Sequence, residues 1–105
     1  MNKVEMSGRL VKDVELLKSK AGNYYCNFTI AVKRKGSDET DFFDCIAFSK
    51  LAETLVKYTE KGNRILIVGT IQNDQYTDKE GSTKYKTNIK VEDLYFVDFK
   101  KELSK

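Results

Sequence analysis

The residues that decide the fold are Asp41-Phe-Phe-Asp-Cys-Ile-Ala-Phe-Ser-Lys50, which predict a β-strand with one apolar face and one mixed face. Successive side chains of a strand point to opposite faces. Phe43, Cys45 and Ala47 therefore form one row, and its apolar character suits a core. The other row places a carboxylate between aromatic rings, so we expect it to face solvent. Its members are Phe42, Asp44, Ile46 and Phe48.

Phe42 and Phe48 are thus expected on the surface or in a groove, and exposed paired rings on a sheet need a reason. Such rings commonly stack on a flat ligand such as a nucleobase, or pack against a partner subunit. A third interpretation is that the two rings cap one end of the fold. Alternation by itself leaves all three open.

One helix is predicted directly after this strand. Ser49 is expected to cap it, since a serine hydroxyl can accept a hydrogen bond from the first turn. Apolar residues then recur at helical spacing: Leu51, Ala52, Leu55, Val56 and Tyr58. Gly62 is expected to end the helix in a left-handed cap.

Four further segments are predicted to be strands. Residues 3–10 and 24–32 alternate, with Val4, Met6, Gly8 and Leu10 inward in the first and Cys26, Phe28, Ile30 and Val32 inward in the second. Residues 14–18 continue the first only weakly. The run from Arg64 is apolar and β-branched, is expected to extend to Tyr76, and is too short for a membrane span. Gly69 inside it predicts a bulge or sharp bend. A last strand starts near Thr83 and continues brokenly to Phe99.

The order of three strands, one helix and two strands predicts an all-β, five-stranded Greek-key barrel, the OB-fold, with one helix between strands 3 and 4. A doubly wound sheet would need helices after most strands, and a ferredoxin-like sheet would need two. We expect one domain over residues 1–105. Roughly the last six residues are expected to form a short disordered tail.

The charge balance is too mild to identify a partner. The net charge is +3, from 19 Lys and Arg against 16 Asp and Glu, so the distribution has to decide. Lys84, Lys86 and Lys90 share one face of the last strand, and 33–35 is a basic cluster after the second strand. Lysine rows beside aromatic rings are typical of single-strand nucleic-acid binders. They are equally typical of a solvated face or a guarded sheet edge.

Several chemistries lack the residues they need. The chain has no histidine, and its two cysteines, Cys26 and Cys45, lie at apolar positions, which disfavours a metal site and predicts free buried thiols. No serine or cysteine has a candidate base beside it, and Asp44, Glu53 and Glu60 show no acid–base pairing pattern. We therefore expect neither an enzyme nor a cofactor. The polar N-terminus lacks a secretory segment, and a cytoplasmic protein is expected.

Eight short motifs also carry a resemblance, in one order from residue 2 to about residue 98. They are Asn2-Lys-Val, Gly8-Arg-Leu-Val-Lys-Asp13, Phe28-Thr-Ile-Ala-Val32, Asp41-Phe42, Phe48-Ser-Lys-Leu-Ala-Glu53, Lys61-Gly62, Gly69-Thr-Ile71 and Tyr76-Thr-Asp-Lys-Glu-Gly81. With these motifs the chain resembles the DNA-binding domain of the bacterial and phage single-stranded DNA-binding protein (SSB) family. The resemblance implies an OB-fold that binds single-stranded DNA without catalysis. It also implies a homo-oligomer, with a tetramer favoured over a dimer, that pairs through the first strand.

The resemblance also implies site residues. The family's stacking aromatics fall on Phe42, Phe48 and Tyr76. Candidate phosphate contacts are the basic residues near this surface: Lys3, Lys33, Arg34, Lys35, Lys50, Lys61, Lys84 and Lys86. Aromatic residues elsewhere are predicted to serve core or edge packing: Tyr24, Tyr25, Tyr58, Tyr85, Tyr95, Phe28, Phe43, Phe96 and Phe99.

The sequence departs from the family at three places. Gly36 stands where the family often has another aromatic, and residues 72–75 lack the basic residues that often precede the Tyr76 ring. The sequence shows no acidic tail, so recruitment of replication proteins through such a tail is not expected.

Two function classes follow. The first is sequence-independent binding and protection of single-stranded DNA in replication, recombination or repair. The protein would come from a phage, a mobile element or a bacterial accessory set, and would act in the bacterial nucleoid or a phage-infected cell. The alternative is a tailless OB-fold adaptor of the primosome type, which would bind both single-stranded DNA and a protein partner. An enzyme is a distant third.

Overall fold

A computed structural model of the protein describes residues 1–100, and the tail predicted at the C-terminus lies almost entirely outside these residues. The described chain forms six strands and one helix. They are β1 (Val4–Leu10), β2 (Leu17–Lys18), β3 (Tyr24–Lys33), β4 (Thr40–Phe48), α1 (Ser49–Tyr58), β5 (Arg64–Thr77) and β6 (Thr83–Phe96).

The strands close into a barrel. Neighbouring strands follow the order β1, β5, β6, β4, β3, and β1 also pairs with β3 at Arg9 and Leu10, which completes the ring. All pairings are antiparallel except the short parallel contact of β4 with β6. The short β2 adds to the edge of β3, and it is all that remains of the weak strand predicted over residues 14–18. The five main strands and the position of α1 confirm the predicted OB-fold.

Alternation places the core as the sequence predicts. The side chains with the lowest exposure fill the barrel: Leu10, Cys26, Phe28, Ile30, Cys45, Ala47, Ala52, Leu55, Ile65, Ile67, Ile89 and Val91. Phe43 points to the same side but is only half-buried. Cys26 and Cys45 are free thiols. Burial raises the pKa of Cys26 to about 11 and that of Cys45 to about 12, so both remain neutral and unreactive at neutral pH.

The predicted bulge lies at Gly69. Val68 is opposite Asp93 and Gly69 is opposite Val91, so Glu92 is an extra residue on β6. A Cβ atom at Gly69 would lie 2.1 Å from the Lys90 carbonyl oxygen, so only glycine allows this approach of β5 to β6. The extra residue reverses the alternation of β6.

Both predicted ends of α1 are wrong. Ser49 makes no capping bond, because the capping position is Phe48 and Ser49 itself has a φ of 53°. At the other end the cap is Thr59, whose buried hydroxyl and backbone N–H both donate to the Leu55 carbonyl. Gly62 is left-handed, with a φ of 89°, but in the turn that follows the helix. The helix therefore ends earlier, with the Leu55 carbonyl bonded to Thr59 and the Tyr58 carbonyl accepting a 3.0 Å hydrogen bond from the backbone N–H of Lys100.

Candidate nucleic-acid interface

The outward rows of β3, β4, β6 and β5 form one continuous surface, called here the aromatic face. Register shows the continuity, because cross-strand partners share a side of the sheet. Phe42 lies opposite Ala31, Ile46 lies opposite Lys90, and Tyr76 lies opposite Lys84. Lys84 and Lys90 are an even number of residues apart, so Tyr76 lies on the same side as Phe42 and Phe48.

The three predicted stacking rings are all accessible on this face. Phe42 is 65% exposed, Phe48 43% and Tyr76 51%. Phe48 contacts the ring of Tyr25 with centroids 6.4 Å apart, and the Lys90 ammonium lies 5.7 Å from the Phe48 centroid. Phe42 has only the small Ala31 opposite it. All three rings are thus accessible to a ligand, and the Phe48 ring is also contacted by Tyr25 and by the Lys90 ammonium.

The junction of β4 with α1 determines the position of Phe48. It is the last residue of β4 and the capping residue of α1, with extended backbone at φ −120° and ψ 154°. The left-handed Ser49 then turns the chain sharply into the helix. Phe48 therefore lies at the junction of β4 and α1, which places its side chain at the end of the outward row of β4.

The packing role predicted for the other aromatic residues is only partly correct. Phe28 is in the core, and Tyr25, Phe43, Tyr58 and Phe96 are half-buried. Tyr24, Phe99, Tyr95 and Tyr85 are exposed, the last two at 57% and 68%. Tyr85 lies opposite Gln75, on the side of the β5–β6 hairpin away from Tyr76. The length of this hairpin could have predicted the exposure of Tyr85, because the outer half of the hairpin extends beyond the barrel and has no core beneath it.

The eight candidate phosphate contacts are exposed but not all together. Lys84 and Lys86 lie on the aromatic face beside Lys90, and Lys33 borders it at the end of β3. Arg34 and Lys35 continue into the β3–β4 loop. Three others are separated from this row: Lys3 precedes β1, Lys50 is in the first turn of α1, and Lys61 is in the turn before β5.

Four of these eight cations already have carboxylate partners. Lys3 lies 3.8 Å from Glu5, Lys33 3.7 Å from Asp38, and Lys86 3.6 Å from Asp44. Arg34 binds Asp41 through two hydrogen bonds of 2.9 and 3.0 Å and also contacts Glu39. These Arg34 bonds hold the pKa of Asp41 below its usual range. Within residues 1–100, no salt bridge engages Lys35, Lys50, Lys61 or Lys84.

A polar groove of about 270 Å³ crosses the middle of the aromatic face. Its polar lining contains Lys12, Asn27, Thr29, Asp44, Lys86 and Asn88. Asp44 accepts a 2.9 Å hydrogen bond from the Thr29 hydroxyl. Sequence reasoning missed Lys12 and Asn27: Lys12 follows β1 in a segment without periodicity, and Asn27 is an unremarkable outward position of β3.

Neither a metal site nor a membrane-spanning helix is present among the described residues. Residues 1–100 contain no group of three or more His, Cys, Asp or Glu side chains placed to hold a metal ion. In the same range, no helix has the length and apolar character needed to cross a membrane.

A closed five-stranded barrel with one helix and an outer face of exposed rings and lysines defines an OB-fold of the kind that binds oligonucleotides. Residues 1–97 match the model of the Single-strand binding protein family. The chain belongs to this family.

Named relatives agree with this assignment. The chain is 41% identical over 100 residues to a single-stranded DNA-binding protein of Clostridium perfringens, a match that covers 93% of this chain and 67% of the relative. It is 36% identical over 108 residues to single-stranded DNA-binding protein 1 of Clostridium acetobutylicum, covering 97% and 98%. A single-stranded DNA-binding protein of Fusobacterium nucleatum is 42% identical over 88 residues, covering 77% and 56%.

Proposed function

We propose that this protein binds single-stranded DNA with little sequence dependence, by stacking bases on Phe42, Phe48 and Tyr76. The observation that carries the proposal is the exposure of all three rings on one face that also bears Lys84, Lys86 and Lys90. Every base has a π-face, so stacking tolerates sequence, and nearby cations can follow the backbone. Lys3, Lys33, Arg34, Lys35, Lys50 and Lys61 are proposed as further phosphate contacts.

The biological role we propose is protection of single strands during replication, recombination or repair. The protein would act in the cytoplasm of a bacterium, at the nucleoid, or in a phage-infected cell. The role is binding, without catalysis. A primosome-type adaptor is not favoured, because relatives that match almost the whole chain are named for binding single-stranded DNA.

The decisive experiment is a titration of fluorescently labelled oligo-dT followed by anisotropy, repeated at several salt concentrations. Saturable binding that is outcompeted by unlabelled single strands, and much less by duplex DNA, is expected. No binding at low salt would contradict the proposal.

The salt series adds a quantitative expectation. The logarithm of affinity falls with the logarithm of salt by about 0.7 per phosphate neutralised on a single strand. Four of the proposed contacts, Lys35, Lys50, Lys61 and Lys84, have no carboxylate partner in residues 1–100, so we expect a slope of about −3 or steeper. A slope near zero would contradict phosphate binding by these residues.

A further inference from the structure

Asp44 is the unexpected residue of the aromatic face, because a carboxylate on a DNA-binding surface repels phosphates. It lies two residues after Phe42 in the same outward row, about 7 Å along the strand. Thr29 donates to Oδ1 at 2.9 Å and the Lys86 ammonium lies 3.6 Å from Oδ2. The carboxylate is thus held in place from two neighbouring strands.

Asp44 still has acceptor capacity. A carboxylate offers about four lone-pair sites, and within residues 1–100 only the Thr29 bond occupies one at hydrogen-bond distance. The side chain is 46% exposed and lines the polar groove. The groove also holds Asn27 and Lys12, and neither side chain makes a hydrogen bond or salt bridge within the described residues. An acceptor and two sets of donors therefore line one groove on the aromatic face.

We infer that this groove is a base-reading subsite, in which Asp44 accepts a hydrogen bond from the exocyclic amino group of a cytosine. The inference rests on the proposed function, since the base must first be brought to the face by stacking. Aspartate accepting from cytosine N4 is an established pairing. The cytosine O2 and N3 acceptors would meet the Lys12 ammonium or the Asn27 amide, both of which donate.

The same groove disfavours uracil and thymine. These bases carry an oxygen acceptor at position 4, where cytosine carries the amino donor. Two acceptors would then face each other, and the Asp44 carboxylate would lose water without gaining a partner. The protein would thus keep sequence-tolerant stacking on its rings and add a preference at one position. Such a preference differs from those of most single-strand binders, which arise from stacking and backbone flexibility.

The test compares oligodeoxycytidine with oligodeoxyuridine of equal length, because these bases differ only at positions 3 and 4 of the ring. Dissociation constants are measured for the wild type and for Asp44→Asn. The stacking of each free strand on itself is the same for both proteins, so it cancels when the dU-to-dC ratio of one protein is divided by that of the other. We expect the dissociation constant for oligo-dU divided by that for oligo-dC to be about tenfold lower in Asp44→Asn than in the wild type. The reason is that the amide of the variant can rotate to donate to O4 of uracil.

Asp74→Asn is the matched control. Asp74 is on the same face and does not itself line the groove; it accepts a hydrogen bond from Asn88, which does, and the amide oxygen introduced by the substitution can still accept that bond. Asp74→Asn removes the same charge as Asp44→Asn, so any general gain in affinity appears in both variants. The ratio of the dU to the dC dissociation constant is expected to change only in Asp44→Asn. Asp44→Ser gives a second measurement, because it removes the carboxylate and keeps a hydroxyl that can accept from Thr29. Melting curves verify that each variant is folded.

An unchanged ratio in both Asp44 variants, with both oligonucleotides bound, would overturn the subsite and leave single-strand binding intact. An equal change in Asp74→Asn would overturn it as well, since the effect would then be one of charge alone. Failure of the wild type to bind either oligonucleotide would overturn the subsite together with the proposed function.

Discussion

Phe42 and Phe43 are adjacent in the chain, yet they lie on opposite sides of β4. Phe42 is 65% exposed, whereas Phe43 packs against the core. This separation follows from the two-residue period of a strand, so it could be predicted from the sequence. The extent of burial could not, because Phe43 is half-buried and its cover depends on neighbours from distant strands. Two adjacent residues of the same type are therefore expected to have different roles, with Phe42 available for stacking and Phe43 used in packing.

Replacing Phe42 or Tyr76 by alanine is expected to weaken oligo-dT binding by about 1–3 kcal/mol per ring, because each ring offers an open face to a base. The melting temperature should change little, since both rings are at least half exposed. Anisotropy titration and thermal unfolding of the same preparations measure the two effects.

Ile67→Ala is the control for packing. Ile67 is fully buried in β5, so the variant should lose about 2–5 kcal/mol of unfolding free energy while its folded fraction binds normally. If Phe42→Ala instead melted early and kept its DNA affinity, the assignment of the two faces of β4 would be wrong.

At the scale of elements, the alternation of apolar residues predicted the strands more accurately than the capping residues predicted the ends of the helix. The strands and the bulge at Gly69 followed from alternation and from a glycine that only a close backbone approach requires. The helix ends did not follow: Ser49 and Gly62 have suitable residue types, but the capping positions are Phe48, which makes no side-chain capping bond, and Thr59, which bonds to Leu55. A residue type shows where a helix can end, whereas the actual end also depends on contacts with distant residues, such as the bond from the Lys100 backbone to the Tyr58 carbonyl.

The β3–β4 loop depends on a contact that sequence patterning did not predict. Arg34 was expected to meet phosphate, but its guanidinium binds Asp41 and Glu39 across the base of the loop. Both the hydrogen bonds and the charge of Arg34 lower the pKa of Asp41. We therefore interpret Arg34 as a residue that positions the loop next to Phe42, and its contact with phosphate stays a prediction.

Arg34→Gln is expected to raise the pKa of Asp41 toward the ordinary value of about 3.9. In the wild type the pair stabilises the fold above that value, and the contribution disappears as pH falls through the lowered pKa of Asp41. A carboxyl NMR titration measures the shift. Asp98 is an internal control, because its pKa is lowered by Arg64 and should not change. An unaltered Asp41 titration in Arg34→Gln would show that the pair does not form in solution.

At the scale of the whole molecule, the barrel has two unequal outer surfaces. One is the aromatic face. The other lies over β1 and the barrel halves of β5 and β6, where the half-buried Leu66 is opposite the exposed Tyr95. β1 borders this second surface and pairs with β3 only at Arg9 and Leu10, so residues 4–8 have hydrogen-bonded strand neighbours on the β5 side alone.

This open edge predicts assembly. An unpaired strand edge is a template for pairing with a second chain, and pairing of two identical edges gives a closed two-fold dimer. The apolar Leu66–Tyr95 surface beside it offers a further contact through which dimers can associate. We therefore expect a homo-oligomer, a tetramer rather than a dimer, with the aromatic faces left free for DNA.

Sedimentation velocity at micromolar concentration measures the assembly directly. Tyr95→Glu places a charge on the second surface and is expected to shift the protein to a smaller species, because a buried unpaired carboxylate is costly. Tyr85→Glu is the matched control, since Tyr85 is also exposed but lies on the outer half of the β5–β6 hairpin. It should leave the sedimentation coefficient unchanged. A wild type that sediments as a stable monomer would refute assembly through the β1 edge, and equal effects of the two substitutions would remove the second surface from the interface.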